Sequence, residues 1–132
     1  MDLEIIRIAA DTKNNKDLNS HTHFSESKNP VCGDIVQIKL IVKSDKISDF
    51  GYQGKSCIYC QATVSLLAKT SINKNFSKIN ELCDDANSFF ENDNEIFNKK
   101  WSLFNNLFNQ KNLLRKECIL LPFKTLQKIV SK

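Results

Sequence analysis

Asn29-Pro30-Val31-Cys32-Gly33-Asp34-Ile35-Val36-Gln37-Ile38-Lys39-Leu40-Ile41-Val42 places a thiol and a carboxylate directly before an alternating apolar run. Val36, Ile38, Leu40 and Val42 alternate with Gln37 and Lys39, the period of a half-buried strand over Ile35–Val42. Ser44-Asp45-Lys46 supplies turn residues, and Ile47–Gln53 reads as the returning strand of a hairpin. Pro30 holds Asn29 extended and stiffens the approach to Cys32. Antiparallel pairing sets the start of the first strand beside the end of the second. Cys32 and Asp34 precede the first strand and Cys57 follows the second, so one end of one sheet should collect two thiols and a carboxylate.

Upstream of this hairpin, Leu3, Ile6 and Ala10 repeat at helical spacing within Asp2–Lys13, predicting a short amphipathic helix. Asn14–Asn19 is polar and reads as loop, and His21–Ser25 alternates weakly, as an N-terminal edge strand would. Downstream, Gly51 and Gly54 should break the second strand just before Cys57. Ser56 is placed to cap a helix over about residues 57–69, which sets Cys57 at that helix's positive end. A further helix is expected over Ser77–Glu91, with Ile79, Leu82, Cys83, Ala86, Phe89 and Phe90 turned to the core. Phe97, Trp101, Phe104 and Phe108 share a helical face over Glu95–Gln110 and also read as core. Leu120-Leu121-Pro122 should open the last helix, with Pro122 in its first turn and Cys118 just outside it.

At 132 residues the chain reads as one domain, 1–132. Nineteen basic against 15 acidic residues give a formal net charge of +4. The lysines are dispersed and only Arg7 and Arg115 are arginines, so no nucleic-acid-binding patch is expected. Charge is nonetheless uneven. Glu81, Asp84, Asp85, Glu91, Asp93 and Glu95 form an acidic stretch, while Lys111, Arg115, Lys116, Lys124 and Lys128 surround Cys118. Such a basic rim would lower the Cys118 pKa and attract an acidic partner, although it equally suits a solvated helix face. No apolar run has the length of a membrane span, and Met1-Asp2-Leu3-Glu4 does not open like a signal peptide. The expected compartment is the cytoplasm, where five cysteines serve as metal ligands, sulfur carriers or core residues rather than disulfides.

Thiolates are the ligands that zinc and iron–sulfur clusters share, and zinc accepts three cysteines plus a carboxylate in a tetrahedral site. Cys57-Ile58-Tyr59-Cys60 is also a C-x-x-C at a helix start, the arrangement of redox dithiols. The parallel strand–helix–strand units that accompany a thioredoxin-type dithiol are missing, so Cys60 reads as a small buried residue behind Cys57, and Cys83 as core. His21 and His23 are the only histidines, and exposure suits them better than ligation. No phosphate loop, dinucleotide fingerprint, zinc-protease motif or hydrolase triad is present.

Three stretches together resemble the NifU N-terminal/IscU/SufU family of iron–sulfur cluster assembly scaffolds. They are Asn29-Pro30-Val31-Cys32-Gly33-Asp34, then Phe50-Gly51-Tyr52-Gln53-Gly54-Lys55-Ser56-Cys57, then Ala62-Thr63-Val64-Ser65. The likeness runs from about Leu3 to Val130. The long step from Cys57 to Cys118, and Glu117 where the IscU branch has histidine, resemble the SufU branch. The resemblance implies an α+β fold of the SufE/NifU-like kind: a small antiparallel sheet, hairpin plus edge strand, packed against several helices. It further implies that Cys32, Asp34, Cys57 and Cys118 bind metal, and that the three cysteines hold a nascent [2Fe–2S] or [4Fe–4S] cluster. Sulfur would come from a cysteine desulfurase of the SufS or IscS kind, and the product would pass to recipient apoproteins or other assembly factors. The same four ligands would also suit a zinc-dependent persulfide carrier that activates the desulfurase. Neither role is that of an enzyme in its own right.

Overall fold

A computed structural model describes residues 3–30, 32–91 and 97–131. Its elements are α1 (Leu3–Ala9), β1 (His23–Lys28), β2 (Ile35–Lys43), β3 (Lys46–Lys55), α2 (Ile58–Ser71), α3 (Phe76–Phe89), and α4 (Lys116–Val130), with two short 3-10 segments, Lys99–Phe104 and Gln110–Arg115, before α4. The strands form one antiparallel sheet in the order β1-β2-β3. The hairpin and its N-terminal edge strand are therefore present, and the architecture is α+β.

The β2–β3 turn is Ser44-Asp45, both with positive φ, the geometry that matches strand twist in a two-residue hairpin. Lys43 pairs with Lys46 across it. Between Ile41↔Asp49 and Val42↔Ile47 the register slips by one residue, leaving Ser48 as a bulge. At the other end Ile35 pairs with Lys55, and in β1 Lys28 pairs with the same Ile35. Asp34 and Ser56, immediately beyond that pairing, are thus brought side by side.

Gly51 and Gly54 do not end β3, which continues through both to Lys55. Their role is close approach. A Cβ on Gly51 would lie 2.7 Å from the Lys16 carbonyl oxygen and 2.9 Å from Leu18 Cγ, where the 14–19 loop crosses the strand.

One face of the sheet carries Val36, Ile38, Leu40, Ile47, Phe50 and Tyr52 into the core. α2 is buried on most sides, and α1 and α4 both pack against it. A helix apolar nearly all round belongs in the centre of a small fold. α4 bridges α3, α2 and the β1–β2 face.

α1 ends at Ala9, short of Lys13, and Asp2 lies outside the described residues. α3 opens at Phe76 because Asn75 accepts a hydrogen bond from the Lys78 N–H at 2.8 Å. The continuous α-helix expected over Glu95–Gln110 is not found among the described residues, and its first two positions lie outside them. Here Asn side chains compete with helical hydrogen bonding. Asn98 accepts from the Lys100 N–H, and Asn112 donates to the Asn106 and Leu107 carbonyls. The apolar face survives this change: Phe97, Trp101, Phe104 and Phe108 are all buried. Phe97 and Phe108 stack at 4.2 Å between ring centroids, and Phe89 and Phe123 meet Phe108 at steeper angles.

The last helix starts earlier than Pro122 suggests. α4 begins at Lys116, so Cys118 lies inside its first turn and Pro122 lies in its interior. Lacking an N–H, Pro122 cannot serve the Cys118 carbonyl, its partner one turn back.

Candidate metal centre

The loop from Asn29 to Asp34 is closed by its own backbone. The Asn29 N–H donates to the Asp34 carbonyl and the Gly33 N–H to the Asn29 carbonyl, both at 2.8 Å. Gly33 takes φ +78°, a left-handed turn that costs glycine little. The turn leaves Cys32 exposed and drives the Asp34 side chain inward, where it is 5% exposed.

Asp34 then does what Ser56 was expected to do. Its Oδ1 accepts the Cys57 N–H at 3.1 Å, while Cys57 is itself the N-cap of α2 and makes no side-chain capping bond. The cap is supplied from the neighbouring strand end rather than from the adjacent residue, which no local pattern reveals. Asp34 Oδ2 is buried with no hydrogen-bond partner. A buried carboxylate oxygen left bare is costly unless something positive or protic meets it.

Cys118 enters from α4. Cys32, Asp34 and Cys118 offer one ligand atom each, all within 4.8 Å of one another, a group that can hold a metal ion. Cys57 is half-buried beside them, outside that group of three but close enough to act on the Cys118 thiol. The Cys118 thiol is not lowered as its basic surroundings suggested. Burial pushes its pKa up, reinforced by the neighbouring Cys57 thiol and the nearby Asp34 and Cys32. Lys116, Lys124 and Lys128 are exposed on α4, with Lys124 facing Glu117 at 3.8 Å and Lys128 donating to the Glu26 carbonyl, so their charge is spent in solvent and on local partners. Arg115 lies over the Tyr59 ring at 5.5 Å, fastening the start of α4 to the start of α2. A contact of this kind contributes about 0.5–1 kcal/mol and holds Cys57 and Cys118 on the same side of the fold.

The other candidates separate. Cys60 is fully buried one turn into α2, and burial pushes its thiol up to about 12 against a smaller opposing effect of a Ser56 hydrogen bond. Cys83 sits in the α3 core, also pushed up to about 12 by burial. His21 reaches the Leu18 carbonyl, and His23 meets Thr22 Oγ1 and the edge of Phe76. His23 pairs with Leu40, at the end of β1 remote from Asp34. Neither histidine joins the cysteine group among the described residues.

These exposures predict an order of reaction. A thiol alkylator should label Cys32 first in the native protein, with Cys60 and Cys83 labelled only on denaturation. Peptide mapping by mass checks this, and fast native labelling of Cys83 would contradict the packing described.

A three-stranded antiparallel sheet packed under helices is a shared design. The family model for the NifU-like N-terminal domain matches residues 3–88. The chain belongs to this family. Within it, the chain is similar to the iron–sulfur cluster assembly scaffold protein IscU of Thermotoga maritima, 29% identical over 117 residues that cover 87% of this chain and 81% of the relative. Its structure is similar to the crystal structure of a protein described as a SUF-system scaffold from Fervidobacterium islandicum AW-1 (FiSufU), with a TM-score of 0.88 and 25% identity, covering 98% of this chain and 96% of that one. The N-terminal part of a NifU-like protein from Brucella abortus shares the fold, with a TM-score of 0.88 at 16% identity over 98% of this chain and 91% of that one. The NifU-like match ends before Cys118, so that residue reaches the group through the packing of α4. Among the described residues no helix is long and apolar enough to cross a membrane.

Proposed function

We propose that this NifU-like chain is an iron–sulfur cluster assembly scaffold. In this reading Cys32, Cys57 and Cys118 hold the iron of a nascent cluster, its cargo. Asp34 provides an oxygen ligand that keeps the cargo releasable, since clusters are otherwise held by thiolates. A cysteine desulfurase supplies sulfur, and apoproteins or further assembly factors receive the product. One observation carries the reading: two thiols and a carboxylate oxygen of buried Asp34, whose Oδ2 has no hydrogen-bond partner, converge within 4.8 Å, beside a third thiol. The relatives described as scaffolds support it.

A second reading, a zinc-dependent persulfide carrier, is favoured by how compact the group is. A tetrahedral zinc with bonds of about 2.3 Å sets its sulfurs roughly 3.8 Å apart, and the Cys32, Asp34 and Cys118 donors all lie within 4.8 Å of one another.

Anaerobic reconstitution with ferrous iron, sulfide and a cysteine desulfurase tests the choice. The scaffold gives a protein-bound visible chromophore with iron and acid-labile sulfide in step. A protein that keeps zinc, stimulates the desulfurase and forms no chromophore is the carrier.

Asp34→Ala separates the same two readings by sign. It should lengthen the lifetime of a bound cluster several-fold against a chelator, whereas a zinc site should lose affinity by at least about 10–100-fold. Asp34→Asn, which keeps an acceptor for the Cys57 N–H, controls for the lost helix cap. Unchanged metal retention in both variants would remove Asp34 from the ligand set.

A further inference from the structure

Cys60 stands next to the proposed site and has no part in it. As N-cap and N3 of α2, Cys57 and Cys60 stand in the first turn of that helix at the C-x-x-C spacing of a redox dithiol. The Cys57 side chain makes no capping bond to α2. The Cys60 thiol lies within the electrostatic reach of Asp34, Cys57 and Cys32. It is fully shielded from solvent at the start of α2, next to the site, whereas Cys83 is buried in α3.

We propose that Cys60 is a resolving thiol that attacks a persulfide carried on Cys57, releasing sulfide and leaving a Cys57–Cys60 disulfide. The inference rests on the reading of this site as a sulfur acceptor. The Cys60 sulfur bonds to Cys57 Sγ, and the bond from Cys57 Sγ to the terminal sulfur breaks. The terminal sulfur leaves with the bonding pair and takes up the Cys60 proton, giving hydrogen sulfide. Two thiols are oxidised by two electrons, and the sulfane sulfur is reduced by two. A small dithiol reductant then restores both thiols by exchange.

Burial disfavours the Cys60 thiolate, but its fixed position offsets this, since well-oriented intramolecular groups reach effective molarities of about 10⁵–10⁸ M. Burial also keeps external reagents from Cys60, so the only sulfur it meets is one carried on the site. The step delivers sulfide where iron is to be held, and the disulfide withdraws Cys57 as a ligand until it is reduced.

The test uses reduced, metal-free full-length protein and glutathione persulfide as the sulfur donor. Trypsin releases Ser56–Lys69 with Cys57 and Cys60 as its only cysteines, so an internal disulfide shows as the loss of two hydrogens from one peptide. The expected result is that loss together with about one equivalent of sulfide per chain. Cys60→Ser should instead accumulate one extra sulfur on Cys57 and release sulfide at least about tenfold more slowly. Cys60→Ala, which buries no hydroxyl, repeats the comparison should the serine variant fold poorly. Wild-type protein without the two-hydrogen loss, or variants that release sulfide at the wild-type rate, would overturn the proposal. Because no iron is present, the outcome is independent of the scaffold reading. A wild-type chain that builds a cluster but forms no disulfide rejects Cys60 alone, and the converse rejects the scaffold alone.

Discussion

Replacing Cys118 by serine should reduce the iron and acid-labile sulfide retained after anaerobic reconstitution to about a tenth of wild type or less, because a neutral hydroxyl replaces a soft thiolate ligand. The fold should also register the change. Cys118 is 8% exposed, in the first turn of α4 beside buried Ile119 and Leu120. A hydroxyl at such a position costs about 1–3 kcal/mol unless it is paired, and back-bonding to the preceding turn recovers only part of that. A fall in Tm of several degrees is therefore expected beside the loss of cargo. Read from the sequence, Cys118 lies just outside the last helix, where the change would cost the fold little; it lies within the first turn.

Cys118→Ala separates the two effects. It removes the ligand without burying a polar atom, and alanine suits a helix. Its far-UV circular dichroism should match wild type while its metal content falls with the serine variant. If Cys118→Ala keeps wild-type metal content, Cys118 is packing rather than ligand, and the site reduces to the residues at the sheet end.

The difference in how Cys57 and Cys118 come to the site marks what a sequence can disclose. Alternation along Val36, Ile38 and Leu40, with a turn at Ser44-Asp45, is enough to set Ile35 opposite the Gly54-Lys55 end of the returning strand, and the bulge at Ser48 makes Lys55 its partner. From that pairing the proximity of Asp34 to Cys57 follows with no further information. Nothing in the periodicity of α4 says which neighbour it packs on or which residue of its first turn meets the sheet end. Its start was obscured by Pro122, which reads naturally as a first-turn proline and is instead tolerated in the interior. The family pattern supplied Cys118, and the packing of α4 on α2 and β1 explains it.

The same limit applies around Phe97–Phe108. The spacing of the aromatic residues identified what is buried, since burial follows from apolar surface. It did not identify the backbone, because the interleaved asparagines bond their own main chain. Capping of α2 by Asp34 was hidden for a related reason. Local rules propose Ser56, the adjacent hydroxyl, whereas the acceptor arrives across the sheet once the hairpin has formed.

The largest expected effect on stability lies at a glycine, and it reaches the site through the same strand pair. Gly54→Ala should destabilise the fold by roughly 3–5 kcal/mol, a large share of the ~5–15 kcal/mol typical of a domain. Gly54 takes φ +149°, and a Cβ there would stand 2.0 Å from the Ile35 carbonyl oxygen and 2.9 Å from its carbon. The obstacle is backbone of the partner strand, not the end of a flexible side chain. Relief requires β2 and β3 to part at Val36↔Gly54, two residues after Asp34 and three before Cys57. Gly33→Ala provides the contrast. It carries a positive φ of +78° but meets nothing within 4 Å, so it should cost only about the 1–2 kcal/mol of a left-handed residue. Gly51→Ala meets the Lys16 carbonyl oxygen at 2.7 Å, a milder overlap than the 2.0 Å at Gly54, and should fall between the two. Thermal melts of the three variants should rank Gly54 below Gly51 below Gly33, with cargo retention lost in Gly54→Ala even at temperatures where it remains folded. A Gly54→Ala protein that melts with wild type would mean that the two strands do not meet as described, and the convergence of Asp34 on Cys57 would fall with them.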